Sequence, residues 1–409
     1  MFKSINKCRV CGNSNLVAVL ELGEQALTGV FPKSIDTQIT SGPLTLVKCA
    51  GSGRCGLLQL AHTYPMDEIY GSNYGYRSGL NPSMVNHLKS KVEKIKSLGI
   101  IDKQDFIVDI GSNDATTLKH YNLDDCNLVG IDPTANKFKE YYTDNIQLLS
   151  DFFSSAKYLT ISNGQKAKII TTFSMFYDLE NPLAFMREIV DILEDDGVWV
   201  FEQSYMPLML TTNSYDTVCH EHLEYYSLSQ IMWMTEQVGM KIIDVELNNV
   251  NGGSFSVIAQ KKMGSMIATT SVQQVLDSEI TQNLDDLQTY VDFALRITES
   301  KNALLKFIEK IKCNGGTISA LGASTKGNVI LQYCGIGPSM IESIGEVNLD
   351  KFGAYTPGTN IPIVNEEIII ASKPDYVIVL PWHFREYFDS QDKYSELNLV
   401  YPLPELSFV

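Results

Sequence analysis

The sequence predicts an α/β protein: two parallel, doubly wound units behind a small N-terminal lobe stapled by cysteines. Three observations predict it. Short apolar runs alternate with helical stretches from residue 106 onward. Two glycine-bearing loops each follow a strand and open a helix, at 111–115 and 322–327. Four of the eight cysteines fall within the first 55 residues. The 409 residues amount to two or three domains at roughly 150 residues each, so a single small domain is excluded.

Residues 1–75 form the first lobe, made of short β-like runs with many turn residues. Cys8-Arg9-Val10-Cys11 is a CxxC knuckle, and Cys49 and Cys55 supply a second pair. Four thiolates are a tetrahedral zinc set. The second pair has five intervening residues instead of two, and the Gly and Ser between them let the longer loop converge. The alternative is four free thiols, but so short a segment has few other means of building a core. Cys126, Cys219, Cys313 and Cys334 show no metal spacing and read as small buried hydrophobes.

Residues 76–265 form the second unit. Asn81-Pro82-Ser83 starts a helix, and Met84, Val85, Leu88, Val92, Ile95 and Leu98 give it one apolar face. Strands follow at 106–111, 127–132, 168–173 and 198–203, with 241–247 and 254–262 as an antiparallel hairpin at the sheet edge. After the first strand comes Asp109-Ile110-Gly111-Ser112-Asn113, where a glycine bend lets backbone approach a ligand. Asp132, followed by Pro133, ends the next strand and can accept the ribose hydroxyls of an adenosine. The loop lacks GxGxxG, which disfavours a dinucleotide. It fits S-adenosylmethionine in a class I methyltransferase domain with a Rossmann-like sheet. Asp151, Phe152 and Phe153 are placed to meet the adenine, and Thr172 and Phe173 end the fourth strand, where donor and acceptor meet.

Cys219-His220-Glu221-His222 holds two of the six histidines. Histidines two apart cannot share a helix face, so a zincin-type metal site is disfavoured. Proton transfer suits the segment better, with a histidine as base and Glu221 orienting it or bonding a substrate hydroxyl. A buried polar turn is the plainer alternative.

One or two connecting helices run from about Val272 to Lys312, and the third unit spans 266–409 with them. Its strands are 317–321, 343–348 and 375–381. Between the first strand and a helix, Ser324-Thr325-Lys326-Gly327-Asn328 makes an anion site from small side chains, hydroxyls and one ammonium. No Ser or Thr follows Lys326, so this is not a Walker A loop. Asn348 and the turn Tyr355-Thr356-Pro357-Gly358 lie further on as ligand-binding candidates. This region reads as a second α/β unit. Acids exceed bases to give a net charge of −16, which argues against nucleic acid and anionic membranes as partners. No signal-type or membrane-spanning run is present, so the expected location is cytoplasmic.

Several motifs recur in fixed order: the CxxC with Cys-Gly-Leu-Leu-Gln-Leu (55–60), Tyr-Gly-Tyr-Arg-Ser-Gly (74–79), Ile-Gly-Ser-Asn-Asp (110–114) and His-Glu-His-Leu (220–223). Gly-Gly-Ser (252–254), Lys326-Gly-Asn, Tyr355-Thr-Pro-Gly-Thr and Leu380-Pro-Trp-His-Phe complete the series. Together they resemble, over essentially the whole length, the sugar C-methyltransferases that act on nucleotide-linked 4-keto-deoxysugars of antibiotics and O-antigens. The resemblance implies zinc in the first lobe, S-adenosylmethionine in the second and a nucleotide diphosphate in the third, which it implies is a Rossmann-like α/β domain. It implies His222 as base with Glu221 beside it, and an active-site tyrosine at Tyr76 or Tyr74. The implied reaction methylates C3 of a GDP- or dTDP-linked 4-keto-6-deoxyhexose through an enolate. Three positions depart from the family: Cys219 stands where a tyrosine is common, Phe176-Tyr177-Asp178 where many members have a histidine, and the second cysteine pair is CxxxxxC. Cys219 thereby joins the catalytic candidates. An O-methyltransferase on a sugar, an epimerase and a non-catalytic nucleotide-sugar-binding protein are the rivals. Oligomeric state stays open, a monomer included.

Overall fold

The computed structural model describes residues 2–69, 77–121 and 125–409. Tyr74 and Tyr76 lie outside them.

The first lobe is a four-stranded antiparallel sheet in the order Glu224–Tyr225, Leu58–Leu60, Ser41–Cys49, Leu16–Ala26. Its outermost strand comes from the second unit, 165 residues away in sequence from its partner. The knuckle Cys8–Cys11 packs beside the end of the Ser41–Cys49 strand. Gly51 and Gly53 adopt positive φ (112° and 71°), the turn conformation that returns Cys55 to the cluster. All four Sγ atoms lie within 4.8 Å of one another, with Cys8–Cys55 and Cys11–Cys49 each at 3.5 Å. Tetrahedral zinc with bonds of about 2.3 Å spaces its sulfurs about 3.8 Å apart, so these residues fit the ion.

The second unit is a seven-stranded sheet. In chain order its strands are β1 (Phe106–Ile110), β2 (Asn127–Ile131), β3 (Ile146–Leu149), β4 (Ala167–Phe173), β5 (Leu193–Ser204), β6 (Met240–Asn248) and β7 (Ser254–Lys261). The spatial order is β3-β2-β1-β4-β5-β7-β6. The first five strands are parallel, and β7 runs antiparallel to both β5 and β6. β1, β2 and β4 are buried along nearly their whole length, as in a parallel sheet covered on both faces. The helix Pro82–Ser97 begins with Asn81 accepting from the Ser83 amide at 2.9 Å and Pro82 at its first position. It buries Leu88, Val92 and Ile95.

Two helices, Thr270–Thr281 and Leu287–Cys313, lead to the third unit. The longer one packs on the Leu16–Ala26 strand of the first lobe. The third unit's sheet has the order 363–365, 344–346, 318–321, 376–379, 399–401, 407–408, parallel but for the last strand. The first lobe bridges to it: Gln332 bonds both the amide and the carbonyl of Ala26, at 2.7 and 3.1 Å. One apolar core runs through first-lobe strands, residues 206–225 and the third unit, which locks the lobes together. No helix among the described residues is long and apolar enough to cross a membrane.

Removing the zinc tests how far the first lobe depends on it. Chelation, or Cys55→Ser, is expected to cost about 3 kcal/mol or more. Metal analysis should find about one zinc per wild-type chain and none in the variant, with a lower Tm and first proteolytic cuts before residue 65.

Candidate active site

In a doubly wound sheet, ligands bind where the strand order reverses, outside the carboxyl ends of the strands. In the second unit that point lies between β1 and β4, and a cleft of about 1180 Å³, counted out to open solvent, sits there. Gly111, φ 78°, floors it, and a Cβ at this position would lie 3.1 Å from Met175 Cγ. Asn113 and Ala115 also take positive φ, which folds the loop 111–115 tightly under the cleft. Asp132 is fixed by the Asn113 amide on Oδ2 at 2.9 Å and by the Thr134 amide and hydroxyl on Oδ1, both at 2.6 Å. Three of its roughly four acceptor positions are taken, which leaves Oδ2 room for one ribose hydroxyl. Burial pushes Asp109 up to about 7, partly offset by the Thr171 hydroxyl at 2.6 Å.

The structure brings Asp109, Gly111, Ser112, Asn113, Asp132, Pro133, Phe152, Phe153 and Phe173 together around this cleft. Phe152 is 54 % exposed, a free aromatic face at the rim suited to stacking on a base. Two expected residues do not reach it. Asp151 turns to the surface and pairs with Lys157 at 2.6 Å. Thr172 is fully buried, its hydroxyl accepting from the Trp199 indole at 3.1 Å, because alternation along β4 points it into the core. The sequence reading also omits several lining residues: Ser78, Met84, Leu88, Thr116, Thr117, Met175 and Asp178. Met84 and Leu88 belonged to the helical apolar face and read as core. Ser78 is tied to the loop by its amide on Asn113 Oδ1 at 3.0 Å, so the segment after Tyr76 covers the cleft.

The His-Glu-His segment lies where the three lobes meet. His220 is fully buried against Tyr64 and lowered by burial to about 4. Cys219 has no exposed surface, and burial holds its thiol well above the ordinary range. It packs within the core, with its thiol against the Glu221 carboxyl group. Glu221 and His222 are half-buried. Glu221 is raised, chiefly by burial, and lies 3.5 Å from the Thr28 hydroxyl of the first lobe. His222 Nδ1 is 2.9 Å from the Thr217 carbonyl, which can only accept; Nδ1 therefore holds the proton and Nε2 keeps a free pair. Its ring meets Tyr177 edge-on at 4.4 Å. Burial, then the Lys326 ammonium, lower His222 to about 4.

In the third unit, Ser324 caps the helix Thr325–Cys334, its hydroxyl accepting from the Gly327 amide at 3.0 Å. Asn328 is buried and donates to the Thr28 carbonyl at 2.7 Å. Lys326 turns inward and donates to the Asn251 carbonyl. Asn348 spends its side chain capping a short turn at Asp350, 3.0 Å away. Thr356 is fully buried and holds its own loop through Ile361 at 2.9 Å. The Tyr355 amide bonds the Pro32 carbonyl at 2.8 Å. Pro357 and Gly358 continue that turn, with Gly358 pressed on Gln332. Residues 355–358 thus face the first lobe.

Known families match the chain in three consecutive pieces: "Putative zinc binding domain" over 8–70, "Methyltransferase domain" over 87–245, and "C-methyltransferase C-terminal domain" over 249–404. Together these matches support an S-adenosylmethionine-dependent C-methyltransferase. The C-methyltransferase NovU of Streptomyces niveus is 27% identical over 411 residues, covering 98% of this chain and 96% of NovU. Among solved structures, the plantazolicin methyltransferase BpumL with SAH aligns at TM-score 0.34 and 11% identity, over 43% of this chain and 83% of BpumL. The magnesium protoporphyrin IX methyltransferase ChlM of Synechocystis PCC 6803, with bound SAM, aligns at 0.33 and 10%, over 43% and 79%. The family matches and NovU support C-methylation over the O-methyl and non-catalytic rivals. For this C-methyltransferase the cleft residues fit the methyl donor: a glycine floor, an acid at the end of β2 and an open aromatic rim.

Asp132→Asn is expected to weaken SAH binding about tenfold, the loss of one charge-assisted hydrogen bond. Gly111→Val should abolish it, because the side chain would enter the space before Met175. Calorimetric titration with SAH checks both.

Proposed function

We propose that this C-methyltransferase methylates C3 of a nucleotide-linked 4-keto-6-deoxyhexose, with His222 as the base. One observation carries the reading. The segment after β4 joins the donor cleft to the base: Met175 and Asp178 line the cleft, while Tyr177 between them touches His222. A group held against His222 is therefore next to the donor. That NovU, similar along its whole length, is named a C-methyltransferase supports an acceptor carbon.

A proton next to a ketone is acidic enough for a positioned imidazole to remove. His222 Nε2 takes the C3 proton, and the C–H electron pair moves toward the C4 oxygen. Thr217 fixes the tautomer that leaves Nε2 free. Its depressed basicity keeps His222 neutral throughout the physiological range. Glu221 is placed to accept from a sugar hydroxyl. The nucleotide diphosphate is assigned to the first turn of Thr325–Cys334, where the leading N–H groups have no partner inside the helix. S-adenosylmethionine, when bound, supplies an electrophilic methyl group. The pair at C3 forms the new carbon–carbon bond as the methyl–sulfur bond breaks, its electrons staying on sulfur so that SAH is the leaving group, and Ser78 lines the mouth of the cleft.

Incubation with labelled methyl donor and dTDP- or GDP-linked 4-keto-6-deoxyhexoses should place one methyl on ring carbon, read by NMR of the product. Label on oxygen would sink the proposal. His222→Ala should lose at least about a hundredfold in rate. The free-enzyme profile of kcat/KM should stay level from pH 8 to pH 6 and fall only toward about 4, as His222 gains its proton; an acid limb above about 6.5 contradicts the assignment.

A further inference from the structure

We propose that Lys326 is a catalytic residue, its ammonium facing the sugar oxygen on which charge develops when His222 removes the neighbouring proton. The proposal rests on the C-methylation reading above.

The backbone dictates where Lys326 goes. Gly322, φ 81°, brings its loop so close to Pro381 that a Cβ would lie 2.5 Å from Pro381 Cδ. A Cβ on Gly327 would lie 2.9 Å from Leu380 Cβ. The first helical turn is thus pressed against the neighbouring strand's end, at the third unit's own reversal of strand order. Lys326 leaves this turn toward the tip of the β6–β7 hairpin and donates to the Asn251 carbonyl. A Cβ on Gly252 would stand 3.7 Å from Lys326 Nζ.

The other side of the same turn approaches Glu221, the residue before the base. A Cβ on Gly29 would lie 2.6 Å from Glu221 Oε1 and 3.7 Å from Thr325 Oγ1. Thr325 and Glu221, the chain neighbours of Lys326 and His222, therefore meet over one face of Gly29. The bond to Asn251 uses one of three ammonium hydrogens and leaves two. The titratable groups around the pair are Asp216, Cys219, Glu221 and His383.

Two buried atoms nearby also ask for a partner. Asp216 Oδ2 accepts from the Trp382 indole at 2.9 Å, but its Oδ1 bonds nothing among the described residues, and neither does His383 Nδ1. A ketosugar with hydroxyls offers both acceptors and donors for these positions. A lysine serving only as a phosphate clamp would reach outward from the helix terminus. This one folds inward, where its charge faces Asp216 and lowers the proton affinity of His222. Charge on the C4 oxygen and the retreat of the proton to His222 are one event. A fixed cation beside that oxygen is the electrostatic help such a step requires.

Lys326→Met and Lys326→Arg test this, read by deuterium uptake at C3 in D2O with SAH in place of the methyl donor. The probes are dTDP- and GDP-linked 4-keto-6-deoxyhexoses. Lys326→Met should slow exchange at saturating sugar about a hundredfold, with KM changed less than about threefold and SAH affinity retained. Lys326→Arg should restore part of the rate. Unchanged exchange with KM raised about tenfold or more would make Lys326 a phosphate clamp and overturn the proposal. Transfer of methyl to oxygen by the wild type would instead bring down the C-methylation reading itself. Independently of any sugar, NMR titration should show the His222 pKa rising in Lys326→Met; an unmoved pKa also overturns the proposal.

Discussion

The pairing of Glu224 and Tyr225 with Gln59 and Leu58 takes the chain out of the methyltransferase sheet and fixes it to the first lobe. Leu223 lies between this strand and the Tyr177 carbonyl, which its amide bonds at 2.8 Å. His222 is thereby held at both ends: one neighbour on the zinc lobe, the other on the rim of the donor cleft. Pairing also buries Glu224, whose carboxylate has Arg9 at 3.8 Å. Arg9 stands inside the Cys8–Cys11 knuckle and spends its other donors on Leu60, His62 and Thr63, at 2.6–3.1 Å. A buried carboxylate facing one cation is costly unless the geometry is fixed. The cysteine cluster fixes it. The zinc lobe is in this sense part of the base's scaffold, though no thiol approaches the reaction centre.

Two reversals of strand order then face each other across this segment. One lies between β1 and β4 and makes the donor cleft. The other lies between 318–321 and 376–379 and brings Lys326, Trp382 and His383 inward. Each alone is a common crevice of α/β sheets. In the proposed reaction, His222 lies between them, with the activated methyl on one side and the acceptor on the other. The acidic overall charge has little to do with either, since both sites work through local amides and single side chains.

The donor loop was legible in the sequence because its chemistry is local: a strand, Gly111, then an acid one strand later. The cysteine cluster was legible too, since CxxC spacing encodes its own geometry. The strand β3 escaped notice at four residues, as did 363–365 and 399–401 in the third unit, because short runs between turns carry little periodicity. The site's assembly was not legible. Thr28 and Gly29 sit in an unremarkable loop, nearly 200 residues from Glu221, and no local pattern marks such pairs. Thr172 shows the converse: it ends the right strand, but the period of two sends its hydroxyl to Trp199. Cys219 stands in the sequence where a tyrosine hydroxyl is common. In the fold it is core, and Tyr177 and Lys326 are the groups beside the base.

The proposed reaction needs one hollow beside His222 that receives the acceptor within reach of the donor cleft. A crystal structure with SAH and a dTDP- or GDP-linked 4-keto-6-deoxyhexose tests it most directly. The account predicts SAH between Gly111 and Phe152, with the sugar ring lying between its sulfur and His222 Nε2. A sugar bound away from His222, or separated from the sulfur by the Met175–Leu179 segment, would contradict it.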